Sequence, residues 1–436
     1  MNDIQPSPKT DEADRTPSDQ SKLAPAAQLP TKESIREFGL AAGLFLVAAL
    51  AFYFSTKPAH QHFDYTARVA LTLLDGHVGI QSKPPSWLNE MVPFNGRYYS
   101  VFPLGAVVSV LPIALLQKAG WIHAFPARAV AAVIAGLCVF FFFLLSGLEA
   151  RSLARRVLLA LFPVFGTWLW CNLGFAGAWQ LALGFALLGE VGALYFTLVR
   201  PRPFAAGALF ALAFGNRTEL ILTLPVYLYF LSRAPASDNR PLIAKAKRWL
   251  RENWRPLADF MVLPLALGIL TAAYNFARFG SFFDFGYARI PGVLREPWYQ
   301  HGLFSLHAIP WNVHKMLFEG FGDRPTFPYV RLYPFGCSIF LSSPFLFLIF
   351  REGGKYKRIC WIVIALLTFV LWIHGNPGGW QFSYRYAIIL LPWTFLLLVG
   401  NGPVKISIIE LSLFVISIAI NAIATWQFLW TNEIRP

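Results

Sequence analysis

Charged side chains are scarce in this chain, at 14% of its 436 residues, where soluble domains run near a quarter. With 56% of the residues hydrophobic, a water-exposed globule has no way to hide the apolar surface that results. A soluble enzyme and a disordered chain are therefore excluded. Cysteine is scarcer still. Cys138, Cys171, Cys337 and Cys360 stand apart in apolar sequence, without the paired spacing of a disulfide scaffold, a redox couple or a metal site, and they read as small core residues. An Asp-x-Asp motif for a metal-bound nucleotide sugar, a Walker loop and a paired-histidine metalloprotease helix are all missing. No motif asks for a metal or a cofactor, and His77, His123 and His301 read as surface residues.

What is present is apolar, aromatic and basic. The chain carries 41 Phe and 15 Trp, and its formal net charge is +14. The basic residues fall mostly between apolar runs, where the positive-inside bias and anionic headgroups account for them without a nucleic-acid partner. Runs of membrane-spanning length cover 38–55, 127–148, 157–176, 178–198, 257–277, 335–350, 359–374, 385–400 and 406–430. The first 35 residues, rich in Pro, Ser, Asp, Lys and Gln, read as a disordered cytoplasmic tail; residues 36–436 form the membrane domain.

Two segments are ambiguous. Pro103, Pro112 and a short length favour an interfacial or re-entrant helix over 101–117. As one helix, 203–232 would be roughly 45 Å long at 1.5 Å per residue, longer than the ~30 Å hydrocarbon core. It would also bring Arg217 and Glu219 near the bilayer centre, at roughly 2.5–3.5 kcal/mol each. A hairpin turning at Gly215–Asn216 avoids both costs, provided its apex is buried by other helices or lines a wet cavity. The expected fold is thus an all-α polytopic membrane protein of about eleven crossings, N-terminus inside and C-terminus outside. Two long outer segments remain, 56–126 and 278–334, the first expected to form interfacial helices.

The outer face holds the candidate chemistry. Asp64 follows the first span by about ten residues, where a partly desolvated carboxylate can take a proton from an acceptor hydroxyl; its bland reading is a helix cap. Asp75 and Glu90 are rivals, Asp75-Gly76 reading more simply as a turn and Glu90 as a partner of Arg97. Arg97-Tyr98-Tyr99 offers a guanidinium and two phenols suited to a phosphate headgroup, or to an ordinary aromatic belt. Arg217 is a functional candidate because it is ionisable within an apolar stretch; the alternative is a buried pair with Glu219 or Glu190. Asn275 lies near the outer end of a span. The triplet Asp284-Phe285-Gly286 spells a kinase magnesium motif without its companions, and Tyr287 follows it. Around Gly378-Gly379 the chain turns tightly, leaving Trp380, Arg385 and Tyr386 at the start of a span.

Taken together, Gly96-Arg97-Tyr98-Tyr99 with Phe102-Pro103-Leu104-Gly105, Gly166-Thr167-Trp168-Leu169-Trp170, Gly215-Asn216-Arg217-Thr218-Glu219, Tyr274-Asn275 through Gly286-Tyr287, and Gly378-Gly379-Trp380 through Arg385-Tyr386 span nearly the whole chain after the tail. In order and placement they resemble bacterial membrane glycosyltransferases of the GT-C class, related to protein O-mannosyltransferases and the aminoarabinose transferase for lipid A. The resemblance implies a GT-C-like fold in the bacterial inner membrane, a polyprenyl-phosphate-linked sugar as donor, and an envelope acceptor met at the outer, periplasmic face. It further implies an acidic base in the first outer loop, which Asp64 matches by position. Many relatives carry an Asp-Glu pair there, whereas here Tyr65 follows Asp64. Competing expectations are a lipid-linked sugar flippase or transporter, which calls for polar groups at the midplane and an internal repeat, and a surface-polysaccharide polymerase or ligase.

Overall fold

A computed structural model describes residues 32–57, 63–232 and 242–434. The tail expected over 1–35 lies outside the described residues as far as position 31, and the chain is helical from α1 (Lys32–Ser55) onward. Helix α2 (Tyr65–Leu74) leads into a two-stranded ladder, β1 (Met91–Phe94) with β2 (Arg97–Ser100), and then α3 (Leu104–Lys118). The bundle continues with α4 (Ala127–Leu145), α5 (Leu153–Phe165), α6 (Leu169–Gly174), α7 (Ala178–Leu198), α8 (Pro203–Asn216), α9 (Leu224–Leu231) and α10 (Leu242–Phe279). After an irregular segment carrying α11 (Ile309–Val313), the chain closes with α12 (Ile339–Ser342), α13 (Lys357–Ile373), α14 (Leu391–Gly400) and α15 (Ile408–Leu429).

Five helices are long and apolar enough to cross a membrane: Ile35–Ser55, Ala127–Leu148, Ala178–Leu198, Lys247–Phe279 and Ile408–Leu429. Of these, the helices of α4 and α7 are mostly buried by protein, while those of α1, α10 and α15 keep most of their surface outward. Of the remaining apolar runs, 359–374 is one continuous helix, α13, and the other three are interrupted, each where the sequence supplies a breaker. The run 157–176 divides at Gly166–Trp168 into α5 and α6. The run 335–350 breaks at Ser343-Pro344 into α12 and a 3-10 turn, and 385–400 begins as a 3-10 turn before Pro392 opens α14. Proline removes a backbone donor and clashes with the preceding turn, so an apolar run containing it need not be one continuous helix.

The hairpin over 203–232 is present. Phe210 on α8 and Tyr227 on α9 pack with ring centroids 5.0 Å apart; in one continuous helix these positions would be separated by about 25 Å. The apex is buried as the fold requires. Asn216 donates to Ser109 Oγ on α3 at 2.8 Å and to Leu212 O at 2.9 Å. Gly105 of α3 meets Gly215 backbone to backbone, with no room for a Cβ. Small residues likewise let α8 close on its neighbours: a Cβ on Gly189 would lie 2.5 Å from Leu209 O, and one on Gly207 would overlap Phe260 O of α10. At fifteen residues, α3 is about 22 Å long, shorter than a hydrocarbon core.

The first outer segment is not helical throughout. Its centre is the β1–β2 hairpin, turned at Asn95-Gly96, both with positive φ (47° and 72°). That dipeptide suits the tight turn that matches strand twist. Arg97, Tyr98 and Tyr99 therefore alternate along a strand instead of lining a helix face.

At the end of the bundle where α5 and α15 begin, Arg155 is fully buried. It pairs with Glu410 (3.1 Å) and donates to Leu398 O (2.9 Å), while Arg351 reaches the same carboxylate at 3.0 Å. Arg155 is thus a structural tie between α5, α14 and α15.

Candidate functional site

Several elements bring polar side chains together at the opposite end of the bundle. Glu90 immediately precedes β1 and reaches the first turn of α7, where its Oε2 accepts from Trp179 Nε1 at 2.5 Å. Tyr65, at the start of α2, holds the backbone behind it: the Tyr65 hydroxyl donates to Asn89 Oδ1 at 3.3 Å and accepts from the Glu90 amide at 3.4 Å. Burial pushes the Glu90 carboxyl above the ordinary range, opposed by the Trp179 hydrogen bond and by the charge of Arg385, and reinforced by Glu296. The pairing of Glu90 with Arg97 expected from sequence is replaced by Trp179, because Arg97 sits at the turn end of the hairpin opposite Phe94.

Arg385 opens the 3-10 turn that precedes α14. Its main-chain amide donates to Gln381 Oε1 at 3.2 Å, and Gln381 is tied in turn to Pro377 O and Pro334 O. Arg385 is only 8% exposed, yet its guanidinium makes no hydrogen bond to any described residue, and Nε is buried without a partner among them. Arg217 ends α8 and pairs with Glu219 at 2.6 Å, which settles its partner as Glu219; Glu190 instead accepts from Trp393 Nε1. Both guanidinium groups lie against Tyr386, Arg217 at 4.9 Å and Arg385 at 5.2 Å from the ring centroid. Two cations gathered on one phenol, one of them unpaired and desolvated, leave an unmet demand for negative charge.

The outer segment adds two phenols. Tyr287 and Tyr299 share a hydrogen bond of 2.8 Å. Burial pushes the Tyr287 hydroxyl up, with Tyr386 adding to the effect, and the Tyr299 hydroxyl is pushed up to about 12 chiefly by burial. Both remain neutral donors. His374, the residue after α13, stands among Tyr299, Phe304 and Tyr386.

The other candidates have local partners. Asp64 flanks the start of α2 without a side-chain cap bond and pairs with Arg68 one turn on, at 2.7 Å. Asp75 closes α2 and pairs with Lys118 at 2.8 Å. Tyr98 exchanges backbone bonds with Ile80, and Tyr99 is buried against Phe279. Among the described residues Arg97 forms no ion pair. Asn275 donates to Phe282 O and accepts from Arg278, bracing the C-terminal end of α10. Asp284 is occupied by Arg289 and by the Gly286 amide, each at 2.7 Å, so the kinase-like triplet is a loop turn. Trp380 stacks on Phe175 at 4.3 Å and wedges the 378–386 turn against the bundle.

The fold thus gathers Glu90, Arg217, Glu219, Tyr287, Arg385 and Tyr386. Trp179, Tyr299 and His374 were not singled out from sequence, although Trp179 and His374 each stand at the end of an apolar run, with Gly177 and Gly375 nearby. Searches for relatives return no match: no family model, no curated protein and no solved structure matches this chain.

Proposed function

We propose that this chain is a membrane glycosyltransferase of GT-C type, moving a sugar from a polyprenyl-phosphate-linked donor to an envelope acceptor at the outer face of the bacterial inner membrane. In the eleven-crossing threading, α5 with α6, α12 with its following 3-10 turn, and the 385–390 turn with α14 each make one interrupted crossing. The observation that carries the reading is Arg385: a buried guanidinium with no hydrogen-bond partner among the described residues, sharing Tyr386 with Arg217. A planar guanidinium fits phosphate oxygens two at a time.

In this mechanism the acceptor hydroxyl attacks the anomeric carbon and gives its proton to a carboxylate. The bond from that carbon to the phosphate oxygen breaks, and its electron pair leaves with the lipid phosphate. Arg385 and Arg217 stabilise the charge that develops there. Glu90 is the base favoured over Asp64 and Asp75, because it lies within the field of Arg385 while the other two are ion-paired to Arg68 and Lys118. General-base catalysis is worth about 10²–10⁴-fold, so Glu90→Gln should lose turnover on that scale while keeping the donor bound. Arg385→Ala should lose co-purified polyprenyl lipid, read by mass spectrometry. Lipid retained by Arg385→Ala sinks the phosphate site; turnover lost in Asp64→Asn but kept in Glu90→Gln moves the base to Asp64.

A further inference from the structure

His374 stands beside the arginines with one ring nitrogen uncommitted. Three aromatic rings meet it nearly edge-on: Phe304 at 5.5 Å, Tyr386 at 5.9 Å and Tyr299 at 6.2 Å. Its Nδ1 lies 2.7 Å from the Asn376 carbonyl oxygen. A carbonyl oxygen only accepts, so Nδ1 carries the proton and Nε2 of the neutral ring holds a lone pair. Among the described residues Nε2 makes no hydrogen bond, and unlike Arg385 Nε it is not sealed from solvent.

The electrostatic surroundings decide what this nitrogen does. Burial holds the His374 imidazole below its ordinary range; the Asn376 bond and Glu219 push it up, and Arg217 and Arg385 push it down. Tyr299 and Tyr386 face it edge-on with their rings, and Tyr384 behind them donates to Leu371 O. The titratable group on the 306–308 turn packed against α13 is His307, whose ring stacks on His301. Without an anion, a third positive charge beside two guanidinium groups is opposed, and the ring is neutral. A bound phosphate monoester carries about −1.5 to −2 charges at pH 7 and reverses that balance.

We propose that Nε2 of His374 is a third ligand of the phosphate monoester held by Arg385 and Arg217, and that the imidazole takes up one proton from solvent as that monoester is bound. This rests on the glycosyltransferase reading for the phosphate site itself. No covalent bond changes: Nδ1–H stays on the Asn376 carbonyl, and the acquired Nε2–H donates to a phosphate oxygen. Release of the lipid phosphate after transfer then returns the proton, which makes departure easier as pH rises.

The test is calorimetric titration of the full chain in detergent with farnesyl monophosphate, in buffers of different ionisation enthalpy, at pH 7.5 and 8.5. A phosphate monoester has its second pKa at about 6, so over this window the ligand contributes little proton change. Wild type should take up on the order of half a proton or more per ligand, its affinity falling with pH by up to about tenfold per unit, the limit for one linked proton. His374→Gln should bind several-fold more weakly at pH 7.5 with no uptake. His374→Asn, which keeps an amide donor for the Asn376 carbonyl but lacks Nε2, should behave alike with an unchanged melting temperature; wild-type affinity in it would reduce His374 to a structural role. A parallel titration with inorganic phosphate separates sources: weak binding there points to a lipid headgroup and equal binding to phosphate alone, either supporting the proposal if uptake accompanies binding. Binding that needs Arg385 but brings no uptake, or uptake that survives His374→Gln, overturns the role of His374 and leaves the phosphate site standing. No binding of either probe to wild type overturns both.

Discussion

Glu90, Asp64 and Asp75 are three carboxylates of one outer segment, and what separates them is the company each keeps. The Asp64–Arg68 pair is an i,i+4 spacing visible in the sequence. The Lys118 partner of Asp75 and the Trp179 partner of Glu90 come from 43 and 89 positions away, which no local pattern reveals. For Glu90 the sign of the pH effect follows from those partners. Burial raises its pKa above the ordinary value of about 4.3, so a base at this position fails as pH falls through a midpoint above the usual carboxylate range. The Trp179 hydrogen bond favours the ionised form; Trp179→Phe should therefore move the acidic limb of kcat/KM to still higher pH. A limb that stays put or moves to lower pH would remove Glu90 from the proton transfer.

At the scale of elements, the sequence was most readable where physics penalised the alternative. Arg217 and Glu219 could not sit at mid-membrane in one long helix, and the α8–α9 hairpin resulted. The interrupted runs were less readable because apolar character persists on both sides of a break: Pro344 and Pro392 lie inside predominantly apolar stretches. The β1–β2 hairpin was legible after all, in Asn95-Gly96, but aromatic residues on both sides suggested a surface helix. Close helix crossings depend on glycines whose role shows only once a neighbour is placed. Gly207 is one, since its missing Cβ makes room for the Phe260 carbonyl on α10. Overpacking of this kind costs about 1–3 kcal/mol, so Gly207→Ala should lower the thermal midpoint of the purified protein. Gly268 on α10 has open space at its Cβ position and is the matched control: Gly268→Ala should leave the midpoint nearly unchanged. Equal effects at the two positions would mean that the α8–α10 contact is looser than described.

Across the whole molecule, α14 joins the candidate site to the buried ionic tie. The turn that holds Arg385 runs directly into it, and its last carbonyls accept from Arg155 and Arg151. A buried ion pair contributes little net stability compared with apolar packing, but removing one partner strands the other charge, at about 3–5 kcal/mol. Glu410→Gln leaves Arg155 with no carboxylate among the described residues, and should destabilise the bundle by that amount. Because Arg155 and Glu410 are both almost fully buried, replacing them together as Arg155→Met with Glu410→Leu removes both charges and should recover much of the loss. The two ends of α14 are about 15 Å apart, so folded Glu410→Gln protein should still bind farnesyl monophosphate through Arg385. If the double variant melts as low as the single one, packing and not an uncompensated charge explains the cost. If phosphate binding falls in step with stability in protein that remains folded, α14 couples its two ends as one rigid rod, and the buried ionic tie belongs to the functional architecture of the site.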